Sequence, residues 1–99
     1  MILVRDVFRV KFGKMKDAVS GLKEGAAAFK NIGIDFPVRA LTDLTGPYYT
    51  LVLEMTMPDL ATWEKQMQEG FNAPEWQAWY AKFAPYLEDG HREVYTIVL

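Results

Sequence analysis

Between Ile2 and Phe12 the side chains alternate. Ile2, Val4, Phe8, Val10 and Phe12 fall on one side, interrupted by Asp6, and Leu3, Arg5, Val7, Arg9 and Lys11 fall on the other. A period of two in β-branched and aromatic residues predicts a strand, which Gly13 ends. From Lys14 the period lengthens: Met15, Ala18, Val19, Leu22, Ala26 and Phe29 recur at the three-and-four spacing of one helical face. Gly33 stands where a left-handed C-terminal cap belongs. Gly21 and Gly25 lie four apart inside this helix, where each costs about 1 kcal/mol against alanine. Close backbone approach to the sheet or to a neighbouring helix would explain both, and the segment is too charged for a membrane small-residue motif.

A weaker alternation over Pro37–Thr45 predicts a second strand, and its proline favours a sheet edge. Gly46-Pro47 marks a turn. Tyr48–Met57 is the clearest strand: Tyr49, Leu51, Leu53, Met55 and Met57 share one face, and Tyr48, Thr50, Val52, Glu54 and Thr56 the other. Asp59 can cap a following helix with Leu60, Trp63 and Met67 inward, broken at Gly70. Asn72, Pro74 and Glu75 look like a second start, with Asn72 as cap and Trp76, Trp79, Tyr80 and Phe83 as the apolar stripe, and Pro85 ends or bends that helix. Gly90 leads into a last alternating run, His91–Leu99.

The order is therefore βαββαβ, an α+β ferredoxin-like sandwich in one domain over residues 1–99. The expected sheet is of antiparallel type in the order 4-1-3-2, with strands 1 and 3 central and, on a crossover argument, parallel to each other. The greasier odd positions of strand 3 and even positions of strand 1 should face the helices. The opposite face would carry Arg5, Val7, Arg9 and Lys11 beside Thr50, Val52, Glu54 and Thr56, neither plainly wet nor plainly dry.

Composition narrows the classes. A net charge of −2 argues against nucleic acid as a partner. No apolar run approaches the ~20 residues of a membrane span. The first residues read as a strand, without the basic start and cleavage site of a signal peptide. With no cysteine, disulfides and thiolate ligands are excluded, which fits a cytoplasmic protein.

Candidate chemistry is sparse. His91 is the sole histidine, so one chain cannot form a multi-histidine metal site, and no metal or cofactor is expected. At a strand start His91 is more simply a solvated or hydrogen-bonding residue, although an imidazole suits proton transfer if it lines a pocket, and Tyr95 is a second weak candidate. Ser20 is the one serine, mid-helix and far along the chain from His91, which disfavours a Ser-His triad. Arg5, Arg9 and Glu54 project onto one sheet face. They could grip a carboxylate or enolate, but the plainer and preferred reading is an ion-pair cluster at a dimer interface. Trp76 and Tyr80, one turn apart in an unusually aromatic helix, are the pair expected to line a pocket for a planar ligand, with core packing explaining most of the other aromatics.

These segments carry a resemblance. Tyr49-Thr50-Leu51-Val52-Leu53-Glu54 followed by Leu60-Ala61-Thr62-Trp63-Glu64 resembles the junction of strand 3 and helix 2 in NIPSNAP-like proteins, as do Trp76-Gln77-Ala78-Trp79-Tyr80 and the terminal strand. Val10-Lys11-Phe12-Gly13-Lys14 is similar to the VKPGK end of strand 1 in the dimeric α/β-barrel superfamily, with Phe12 in place of the usual proline. The resemblance covers nearly the whole chain. It implies a homodimer whose sheets form a barrel, with a pocket between each sheet and its helices or partner, and no single activity. Relatives include cofactor-independent monooxygenases, isomerases, cyclases and haem-degrading enzymes. The last rely on an Asn, a Trp and a helical His, whereas this chain's asparagines are Asn31 and Asn72 and its histidine is near strand 4. Three readings follow: a homodimer binding an apolar or aromatic small molecule, a cofactor-independent monooxygenase or isomerase acting on a phenolic or enolisable substrate, and a structural self-association module.

Overall fold

The computed structural model describes residues 1–33 and 37–99. Its elements are β1 (Ile2–Val10), α1 (Met15–Asn31), β2 (Val38–Thr42), β3 (Thr50–Met57), α2 (Leu60–Phe71), α3 (Pro74–Phe83) and β4 (Leu87–Thr96), with a 3-10 turn over Ala84–Tyr86 between α3 and β4. The four strands form one sheet in the order β2-β3-β1-β4, the expected 4-1-3-2 arrangement with β2 at an edge. The central pair, however, runs antiparallel, with Ile2 opposite Met57 and Arg9 opposite Thr50. The crossover through α1 joins β1 to β2, which point the same way but are not neighbours. β3 then turns back from β2 and slots between them, so it opposes both.

Facing follows the alternation. Val4, Val10, Leu51, Met55 and Met57 are buried beneath the helices. Val10, Ala18, Leu51 and Phe83 make one core cluster, joined by Phe8, Leu22 and Trp79, and Val4, Met55 and Met57 make another under Trp63. Asp6, the interruption in the apolar face of β1, pairs with Arg92 directly across on β4 at 2.5 Å, and the Arg92 guanidinium lies 5.1 Å from the centre of the Trp63 ring. The molecule is 18 Å thick against 36 and 35 Å across, the thickness of one sheet plus one helical layer. Among the described residues no layer lies upon the other sheet face.

Local chemistry sets the ends. Gly33 takes φ +85° and its N–H donates to Lys30, as a left-handed cap requires. Asp59 Oδ1 accepts from the Thr62 N–H at 2.7 Å, a bond that holds its carboxyl below the usual range. Asn72 is not the cap of α3: Ala73 holds that place without a side-chain bond, and Pro74 is the first helical residue. The first strand ends at Val10; beyond it Lys11 still donates to Tyr86 at 2.9 Å, and Phe12 turns outward, 71% exposed. The third strand starts at Thr50, two residues late, because Tyr49 adopts φ 59°, a strained conformation for a bulky side chain. The second strand is confined to Val38–Thr42. The last strand spans Leu87–Thr96, so His91 sits mid-strand opposite Val7, while Ile97, Val98 and Leu99 lie beyond it.

Candidate functional site

On the helical side, α1 rests against α3 where α1 carries Gly21 and Gly25. The Trp79 indole Nε1 donates to the Gly21 carbonyl at 2.6 Å, and a Cβ at Gly25 would fall 2.5 Å from the same ring. The two glycines are therefore the close approach that their spacing predicts, made to a helix. Trp79 also stacks on Phe83, centroids 4.9 Å apart, and meets Phe29 edge-on at 5.5 Å. Held on these sides, it forms one wall of a cavity of about 490 Å3. Val19, Leu22, Ala26 and Phe29 of α1 form another wall, and Val38, Ala40, Leu53 and Met55 form the floor on β2 and β3. Space remains because both the helix and the edge strand place an alanine here, Ala26 and Ala40. Lys23 and Lys30 complete the lining. The volume falls within the range of small-molecule sites, about 300–1,000 Å3.

The helix-free side carries a ladder of alternating charge across all four strands. Arg39 Nε donates to Glu54 Oε1 at 2.6 Å, Arg5 Nε lies 3.3 Å from Glu54 Oε2, and Arg5 Nη1 donates to Glu93 Oε1 at 3.1 Å. Their backbone registers place Arg39, Glu54, Arg5 and Glu93 in one row. Glu93 also accepts from the Tyr95 hydroxyl at 2.9 Å and lies 3.2 Å from His91 Nε2. The Tyr95 bond first, then His91 and Arg5, hold the Glu93 carboxyl below its usual range, and the same carboxylate raises the Tyr95 phenol. Glu54 is buried, 8% exposed, beneath its two arginines. The next row is apolar, Leu41, Val52 and Val7, ending at His91. Arg9 stands opposite Thr50 and Asp89, and its Nε is buried without a partner among the described residues.

The structure thus brings Arg5 and Glu54 together and adds Arg39, Glu93, Tyr95 and His91, while Arg9 stays outside that network. Trp76 and Tyr80 stack on each other at 4.9 Å, with Trp76 against Phe71. Tyr80 lines a polar, open cleft beside β4 together with Phe8, Arg92 and His91. Among the described linings Trp76 faces no cavity, and Trp79 takes the place expected of it. The spacing of the aromatic stripe does not say which indole meets the opposing helix; the Gly21/Gly25 pair marks a close approach, and the structure fills it with Trp79. Neither Tyr95 nor His91 lines the α1 cavity. Among the described residues the side-chain groups that could act on a bound molecule there are two ammonium groups and apolar surface.

No protein-family model matches the chain, and no curated protein matches its sequence. Solved structures do match its shape. A NIPSNAP-domain protein from Burkholderia xenovorans superposes with a TM-score of 0.88 at 20% identity, over 99% of this chain and 95% of the other. A NIPSNAP-family protein from Agrobacterium tumefaciens does so at 0.86 and 17% identity, over 96% and 90%. A cofactor-independent oxygenase from Streptomyces nogalater does so at 0.74 and 12% identity, over 99% and 93%. The chain has the ferredoxin-like fold that these proteins share, and the resemblance to NIPSNAP-like proteins holds at the level of fold. Among the described residues no helix is long and apolar enough to cross a membrane.

Proposed function

We propose that the protein binds an apolar or aromatic small molecule in the cavity between α1 and the sheet, and that it does so as a homodimer joined through the helix-free sheet face. The cavity carries the first part: a half-open space of about 490 Å3 lined mainly by aliphatic and aromatic side chains, with Trp79 fixed as one wall. The bare face supports the second, because Val52 and Glu54 are already desolvated there with no layer of the described residues above them. Binding to the native state raises the melting temperature by mass action, so a panel of apolar and aromatic compounds screened by thermal shift should yield stabilising hits that also perturb tryptophan emission. A panel that shifts nothing would remove the binding reading. Sedimentation at micromolar concentration should show a dimer, and monomer alone would remove the assembly.

The oxygenase or isomerase reading comes second. In its favour is the fold shared with the Streptomyces nogalater oxygenase. Its proton-transfer candidates, His91 and Tyr95, both engage Glu93 on the helix-free face. Catalysis through them would need an enclosure completed by a second copy. The structural-module reading predicts a dimer that no compound stabilises.

A further inference from the structure

The α1 cavity has a polarity of its own. The protein carries a net charge of −2, yet among the described residues lining this cavity the charged ones are Lys23 and Lys30, and none is acidic. The remaining polar group, the Trp79 indole N–H, is consumed by the Gly21 carbonyl. Among the described residues the cavity therefore offers an occupant side-chain donors and positive charge, and no side-chain acceptor. Neither lysine is in an ion pair among the described residues. Seven residues apart, both line the same side of α1, about 10 Å apart along its axis, a gap that two flexible four-carbon stems can close around one small anion. The plainest alternative is that the stems merely shield apolar surface while their ammonium groups remain in water. Apolar walls make that arrangement useful in either case, since a charge held at their edge is less screened than in bulk water.

We propose that the ligand of this cavity is an amphipathic acid: an apolar body seated against Phe29, Leu53 and Trp79, with a carboxylate gripped at the mouth by Lys23 and Lys30. This rests on the binding reading given above and specifies its ligand class. The test compares octanoate with octanol, which differ in the head group, by calorimetry on the wild type and on the Lys23→Gln/Lys30→Gln variant. Octanoate should bind the wild type at least ten-fold more tightly than octanol. The variant should lose that advantage and keep its octanol affinity, and rising NaCl should weaken octanoate alone. If octanol binds as tightly as octanoate, or if the variant leaves octanoate affinity unchanged, the acid reading falls and the apolar site stands. A variant that loses both ligands equally makes the lysines structural, which also overturns the proposal. Failure of both ligands to bind the wild type removes the cavity reading and this one with it.

Discussion

Val4 and Arg5 are chain neighbours on opposite faces of β1. Val4 is shut among Met55, Met57 and Trp63, whereas Arg5 bridges Glu54 and Glu93 beneath open solvent. The first face is held by burial, which has no direction, and a cavity lies beside its packed part where Ala26 and Ala40 leave room. The second is held by charge-assisted hydrogen bonds, which have direction and leave little lateral slack. The proposed ligand site thus lies on the covered face, and the proposed dimer surface on the bare one.

The strongest challenge to that contrast is Trp79→Ala, which should cost about 3 kcal/mol or more in urea unfolding, as aromatic truncation at a packed site does. A loss below about 1 kcal/mol would mean that the covered face is not where stability resides. Gly25→Ala should follow. A Cβ there meets the Trp79 ring at 2.5 Å, so overpacking of about 1–3 kcal/mol should outweigh the helix propensity gained. Glu54→Ala on the bare face should cost about 1–2 kcal/mol, because Arg39 is largely exposed and water takes over part of its partner's role. If Glu54→Ala proves worse than Trp79→Ala, the ranking of the two faces is reversed. Glu93→Arg should leave the monomer folded and shift sedimentation towards monomer at micromolar concentration. An unchanged dimer would show that the ladder is not its interface.

The smallest effect is one of pH. The Glu93 carboxyl is depressed in the folded state, so its contribution is present above the unfolded value of about 4.3 and is lost as pH falls through the folded one. Tyr95 is raised, so its contribution is present below about 10 and is lost as pH climbs through the folded value. Urea midpoints of wild type and Glu93→Gln should differ at neutral pH and converge in acid. A gap that persists undiminished at low pH would separate the effect from this carboxylate.

Much of the fold was legible because Tyr48–Met57 and Ile2–Phe12 alternate cleanly enough to assign each residue to a face. The direction of the central pair was not, because side-chain alternation is the same in parallel and antiparallel strands, and the parallel relation that the crossover sets lies between β1 and the non-adjacent β2. The start of β4 was hidden because Leu87–Asp89 are an edge segment with little apolar rhythm. Gly90 looked like a boundary, yet it lies within the strand opposite Phe8, where a Cβ would come within 3.0 Å of the ring. The late start of β3 was invisible for a different reason, since nothing in Tyr49 announces a positive φ. Of the candidate site, the shared face of Arg5 and Glu54 was readable from side-chain alternation, and their pairing from the antiparallel register of the structure. The cavity was not, because it depends on which of two indoles one turn apart meets a neighbouring backbone.

The ladder also has a symmetry that follows from its length. Four alternating charges, read from Arg39 to Glu93, are plus, minus, plus, minus, and reversed end for end they become the complementary string. A copy brought over this face by a half-turn about the strand direction would set Arg39 above Glu93 and Arg5 above Glu54, opposites throughout. A half-turn about the row itself would set like upon like. An even number of strands thus lets one sequence encode both halves of a complementary surface and favour one dyad over the other.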